Sequence, residues 1–400
     1  MASSADPLAP RSRGPAPDEG SGLDPLADRP SRWRLPATGG QDLSRHVFIW
    51  PALLVILFLS IFPLVTSLYL SLTNMRFTAQ GIEIDFVGTR NYEVLFFGSQ
   101  ATHVLGVARE PTPLGWAVFA AVGALVLWAL WRARRGGIGM SGLIGRTIGG
   151  VLLMALAWLL VQTVFSEGGR PGTLMVTLTY VFVGISAQYL IGLGLALLVT
   201  QRLPGRRFFR VLFLIPMMIT PVGIGYMWRM VTDTSKGPLV PLFEAAGLVG
   251  WTWVTDPWLA RIAVMIGDTW QWTPFMFIVL LAALEAQDVQ VVEAAQVDGA
   301  NHREVFSHIT FWAILPVSVT VLLIRMIEAF KIIDLPNILT GGGPGTATES
   351  LTLQAWFDWR TLNLGRSAAL AYTLLVVVTL FAVYFVRLGR RAQDEGRSGA

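Results

Sequence analysis

Eight stretches of this chain are long and apolar enough to cross a lipid bilayer, and that repetition restricts its fold more than any other property. Crossing ~30 Å of hydrocarbon takes about 20 apolar residues at 1.5 Å each. The stretches run Val47 to Leu72, Leu114 to Trp131, Leu143 to Phe165, Leu174 to Thr200, Val211 to Val231, Ile262 to Leu284, Phe311 to Ile333 and Ala368 to Val386. Residues are 53% hydrophobic and only 14% charged, more apolar surface than a water-soluble enzyme can cover. The fold class expected is therefore all-α, a polytopic membrane protein with eight predicted transmembrane helices.

Arginine placement orients the spans, because short cytoplasmic loops retain positive charge. With the N-terminus inside, the cytoplasmic segments hold Arg11, Arg13, Arg29, Arg32, Arg34 and Arg45, then Arg132, Arg134, Arg135 and Arg146. They continue with Arg202, Arg206, Arg207 and Arg210, then Arg303, and finally Arg387, Arg390, Arg391 and Arg397. That is nineteen basic residues against eight in the outer segments, so both termini are expected in the cytoplasm. Topology thus accounts for the net charge of +4, and no nucleic-acid partner is expected.

Cysteine is absent, which excludes disulfides and thiolate metal sites, and the four histidines show no metal-binding spacing. Residues 1–46 are expected to be a disordered cytoplasmic tail, since the first forty hold seven Pro and five Gly with few large apolar residues. A cleaved signal peptide is not expected, because the first apolar run begins only at Val47 and is too long.

Several interruptions carry more specific information. The polar stretch 285–310 reads as helix, turn, helix. Val289, Val292 and Ala295 (or Gln296) make an apolar stripe, Asp298-Gly299 signals a turn, and Asn301 with Glu304 nearly matches a capping box. Val305, Phe306 and Ile309 then form an apolar face one turn long. A pair this short is marginal alone and needs a receiving groove. Pro216, Pro221, Gly223 and Gly225 interrupt the fifth stretch, as a kink or as part of a permeation path. Gly192 and Ala196, four apart, form a small-residue stripe that admits a close helix neighbour.

The run Glu293-Ala294-Ala295-Gln296-Val297-Asp298-Gly299-Ala300, with Ile309 ten residues past the glycine, resembles the EAA loop of membrane-spanning subunits of bacterial binding-protein-dependent ABC importers. Phe86-Val87-Gly88-Thr89-Arg90-Asn91-Tyr92 resembles the stretch after the first span in sugar-type members. Leu339-Thr340-Gly341-Gly342-Gly343-Pro344 resembles their L-T-G-G-G-P segment, and Gly192 to Leu198 their G-L-x-L-A-L span. The resemblance is to the maltose, trehalose and glycerol-3-phosphate type and is nearly continuous from Leu174. It implies a type I importer core of six spans, in the bacterial inner membrane. One departure is Phe311-Trp312, where the family commonly has Leu-Pro after Ile-x.

The family also implies roles. Glu293, Ala294, Ala295, Asp298, Gly299, Ala300 and Ile309 would dock on a cytoplasmic ATPase. Glu293 would supply a charged contact, the alanines close approach, and Gly299 the turn. No Gly-Lys-Ser or Gly-Lys-Thr exists in the chain, whose two lysines, Lys236 and Lys331, follow Ser and Phe. No cofactor is expected in this chain, with ATP and magnesium on the partner ATPase. Expected partners are two ATPase subunits, a second permease subunit, an extracytoplasmic solute-binding protein, the bilayer, and a sugar or polyol carried by alternating access. An ion-coupled secondary transporter and a non-transport scaffold are the rivals.

The domain division expected is the tail, a first span with its outer segment over 47–113, an inserted transmembrane hairpin over 114–165, and a permease core over 166–400. Candidate path residues are Trp270, Gln271, Trp272 and Thr273, near Asp268, in the outer half of the sixth span. Indole faces suit a sugar ring, and an interfacial aromatic belt is the alternative. Glu328, Asp334 and Asn337 complete the set. Arg325, Glu328 and Lys331 lie three apart and would neutralise one another, unless they face the path.

Overall fold

The computed structural model describes residues 49–78, 81–135, 140–201, 204–234, 236–247 and 255–398; the expected tail over 1–46 lies outside them. The chain divides into two compact units, Met1–Pro63 and Leu64–Ala400, with the boundary inside its first helix. That helix is α1 (Ile49–Ser71), with a wide π turn at Leu57–Ile61. Strands β1 (Thr73–Thr78) and β2 (Gly81–Phe86) follow, then α2 (Arg90–Phe96), α3 (Ala101–Val104) and β3 (Gly106–Val107). A helix pair, α4 (Pro113–Arg135) and α5 (Met140–Thr163), precedes β4 (Arg170–Pro171) and α6 (Thr173–Thr200). Next come α7 (Arg206–Met218), α8 (Pro221–Val231), α9 (Val240–Ala245) and α10 (Pro257–Glu285). The chain continues through α11 (Val289–Val297), α12 (His302–Ala329), α13 (Leu351–Arg360) and α14 (Leu364–Ser398).

Seven described helices are long and apolar enough to span a membrane, and α7 with α8 forms a bent pair that brings the total up to eight. The fifth stretch is therefore not one continuous span. Its two halves meet at 97° because Ile219 and Thr220 are extended and Pro221 opens the second helix, whose cap is Thr220 accepting from the Gly223 amide. Two small β ladders also depart from the all-α expectation: β1 pairs antiparallel with β2, and β3 with β4.

The Phe86-to-Tyr92 stretch closes off the end of α1. Gly88 takes φ +59° to turn the chain, and Asn91 then donates to the Ser71 and Thr73 carbonyls at 2.8 and 2.9 Å. Tyr92 adds a hydroxyl contact to Ser71. Asn91 thereby serves the Ser71 carbonyl that the helix leaves unpaired and the Thr73 carbonyl at the start of β1.

The core centres on α6 and α10. A Cβ on Gly192 would fall 2.6 Å from Met276 Cβ, and Ala196 is fully buried, so the small-residue stripe does bring two helices into close contact. Phe277, Leu280, Ile314, Val321 and Phe330 extend this core into α10, α12 and the turn beyond. The Gly-rich segment folds back on itself. Thr348 donates to the Gly343 carbonyl, touches Thr340 Oγ1 at 2.6 Å, and its own carbonyl accepts from the buried Tyr180 hydroxyl. Arg261 Nε donates to the adjoining Ala347 carbonyl at 2.6 Å.

Candidate functional site

The chain between α10 and α12 folds as a helical hairpin. Asp288 caps α11 by accepting from the Gln290 amide. At the other end the Ala300 amide donates to the Ala295 carbonyl at 2.9 Å and the Gly299 amide to Gln296 at 3.1 Å. These paired bonds are a Schellman cap, and Gly299 sits at its left-handed position with φ +90°. Asn301 then accepts from the Arg303 and Glu304 amides, and Glu304 reaches back to the Asn301 amide, so the capping box is complete. Each end of the turn is satisfied by local bonds, which lets so short a hairpin hold its shape.

Its two arms have different fates. Val305 is buried and Phe306 packs on the core, with a π turn at Phe306–Thr310 leading directly into the long part of α12. Gln287 donates to the Thr310 carbonyl, and Arg210 on α7 pairs with Glu285 at the base. By contrast α11 presents Val289, Val291 and Val297 to the outside, the last 87% exposed, and Glu293 and Ala294 are exposed beside them. Asp298, Gly299, Ala300, Glu304, Val305, His308 and Ile309 line a shallow cavity of about 400 Å³ next to them. Of the EAA-pattern residues, Asp298, Gly299, Ala300 and Ile309 line this cavity, Glu293 and Ala294 are exposed on α11, and Ala295 is half-buried.

The second cluster lies inside the helix bundle. Arg325 on α12 donates to Asp268 of α10 at 2.5 Å and to Gln188 of α6 at 2.8 Å, and the Gln188 amide donates to Asp268 at 2.8 Å. All three are at least 95% buried, and the guanidinium stacks 4.6 Å from the Trp272 ring centre. This corrects the expected neutralisation of Arg325 by Glu328. Glu328 is exposed and, among the described residues, pairs with Lys331 at 2.7 Å, because the buried acid on α10 is the nearer partner for Arg325. Gln188 stood outside the expected site. A lone Gln in an apolar span gives no sign of which other span it faces.

The four expected path residues on α10 do not share one face. Trp270 and Thr273 line an apolar cavity of about 730 Å³ bounded by α6, α7 and Trp228 of α8. Trp272 points toward Arg325 instead, and Gln271 is buried. Helix positions two apart cannot face the same way. Trp228 and Trp270 meet edge to face with ring centres 6.1 Å apart. Asp334 and Asn337, both half-buried, lie in the turn after α12, where the Asn337 amide donates to the Ile333 carbonyl. Among the described residues no cluster of His, Asp and Glu could hold a metal ion.

Residues 188–393 match the family model described as binding-protein-dependent transport system inner membrane component. The trehalose/maltose transport system permease protein MalF of Thermococcus litoralis is 34% identical over 219 residues, covering 55% of this chain and 74% of that protein. The trehalose transport system permease protein SugA of Mycobacterium tuberculosis is 31% identical over 227 residues, covering 56% and 71%. Among solved structures, a bacterial ABC transporter involved in the import of the acidic polysaccharide alginate aligns with a TM-score of 0.61 at 16% identity. That alignment covers 88% of this chain and 96% of the other, and it establishes the fold.

Proposed function

Because this chain belongs to the binding-protein-dependent transport system inner membrane component family, we propose that it is the membrane-spanning subunit of an ATP-driven importer of a sugar or related polyol. The maltose and trehalose permeases among its relatives support that substrate class. The hairpin over 285–310 is the element that receives the force of ATP hydrolysis, which takes place on two separate ATPase subunits. A solute-binding protein delivers the solute, and a second permease subunit completes the path by alternating access.

One observation carries this reading. Val289, Glu293 and Val297, four apart on α11, are exposed on one face, while the arm after Gly299 is continuous with α12. Apolar side chains exposed together on a capped hairpin mark a protein-docking surface. A push on that surface reaches α12 through the capped turn from Asp298 to Asn301. The solute path is assigned to the faces of α6, α7 and α10 around Trp270 and Thr273, with the Gln188, Asp268 and Arg325 cluster holding three helices in register beside it.

Reconstitution with the neighbouring ATPase tests the assignment. Glu293→Lys and Gly299→Pro should abolish ATPase co-purification and uptake while the helical content stays unchanged. Trp270→Ala should lower uptake and leave the ATPase bound. Uptake driven by an ion gradient with no ATPase present would overturn the proposal.

A further inference from the structure

The end of the α4–α5 pair carries charge that the transport reading does not use. Arg132, Arg134 and Arg135 fill the last turn of α4, and Arg146 lies near the start of α5. From residue 111 to residue 166 the sequence contains no Asp or Glu. Among the described residues none of these four arginines enters an ion pair. The C-terminal dipole of α4 favours a cation there, but it saturates with the last turn and leaves the guanidinium edges free.

Two of the arginines are ordered by tryptophans one turn earlier. The Arg135 guanidinium lies 3.8 Å from the Trp131 ring centre and that of Arg132 lies 5.5 Å from Trp128. Both indoles are about half exposed. At the opposite end of the pair, Trp116, Phe119 and Trp158 form a second aromatic cluster, with Phe119 and Trp158 5.2 Å apart. Trp116 and Trp131 are separated by ~22 Å along the helix at 1.5 Å per residue. Aromatic girdles at that spacing set the depth of the pair, so the arginines stand at headgroup level.

We propose that the arginine end of α4–α5 is a binding site for an anionic phospholipid headgroup. A guanidinium whose face is covered by an indole still presents its N–H edge, and that edge matches a phosphodiester bidentately. Four cations without an acid attract an anionic leaflet, and the stacking orders two of them before the lipid arrives. The site lies outside the family-matched residues 188–393 and does not depend on the transport assignment.

The test is native mass spectrometry of the full chain in detergent, titrated with phosphatidylglycerol or with phosphatidylcholine of the same acyl chains. The wild-type protein should retain phosphatidylglycerol selectively. Removing one basic residue at an anionic surface lowers association roughly fivefold, so Arg132→Gln/Arg134→Gln/Arg135→Gln should lose about a hundredfold. Trp128→Leu/Trp131→Leu keeps every charge that orients the pair, and it should weaken phosphatidylglycerol retention while leaving phosphatidylcholine unchanged. Equal retention of the two lipids by the wild type would overturn the proposal, as would undiminished selectivity in both variants. So would complete displacement by inorganic phosphate at matched concentration, since that identifies a general anion site.

Discussion

Replacing Asp268 with Ala should destabilise this protein far more than replacing Asp268 and Arg325 together. Asp268 accepts from Arg325 at 2.5 Å and from Gln188 at 2.8 Å, and its side chain is 7% exposed against 1% for Arg325. The single change strands a guanidinium with only the Gln188 carbonyl oxygen and the Trp272 face as partners. Breaking a buried pair from one side costs about 3–5 kcal/mol, whereas exchanging both partners for apolar groups of similar volume is often neutral. At roughly 2 °C per kcal/mol for a protein above 200 residues, Asp268→Ala should lower the thermal midpoint in detergent by about 6–10 °C. Asp268→Leu/Arg325→Met should stay within about 3 °C of wild type on the same scale. Thermal unfolding followed by size-exclusion chromatography reads both. If the single variant unfolds at the wild-type temperature, or the double variant falls as far as the single, the cluster is not the buried, mutually dependent pair described.

Two further outcomes follow from the helix contacts. Asn301→Ala removes the acceptor for the Arg303 and Glu304 amides, a loss of about 1 kcal/mol, and should raise hydrogen exchange at those amides without changing exchange in α10. Gly192→Val places a Cβ 2.6 Å from Met276 Cβ and 3.0 Å from the Phe277 amide nitrogen, so the α6–α10 contact must open. It should cost about 1–3 kcal/mol by overpacking, whereas Gly194→Ala, which meets nothing within 4 Å, should be tolerated. Thermal midpoints of the two glycine variants separate these cases.

Much of the hairpin was legible in order of residues, because its determinants are local. Asp298-Gly299 and Asn301 with Glu304 act over three or four positions, and they fold as a Schellman cap and a capping box where the spacing puts them. The Gly192 and Ala196 stripe was equally readable as a contact, although not which helix would fill it. The interrupted fifth stretch announced a break at Pro216 and Pro221 but not its place or angle: Pro216 stays inside α7, and the chain bends by 97° at extended Ile219 and Thr220. The adjacency of Trp270, Gln271, Trp272 and Thr273 was misleading for a geometric reason, because a helix turns neighbours in sequence toward different surroundings.

Sequence by itself carried the long apolar stretches and the caps of the 285–310 hairpin, which rest on composition, periodicity or spacing within a short segment, and its motifs carried the resemblance to the family. Tertiary structure alone decided which polar residues inside the membrane meet. Gln188, Asp268 and Arg325 lie on three helices and far apart in the chain, yet burial in an apolar medium leaves each no better partner than the other two. An unpaired charge there is expensive enough to select the pairing, and only the packed arrangement of α6, α10 and α12 shows what it is.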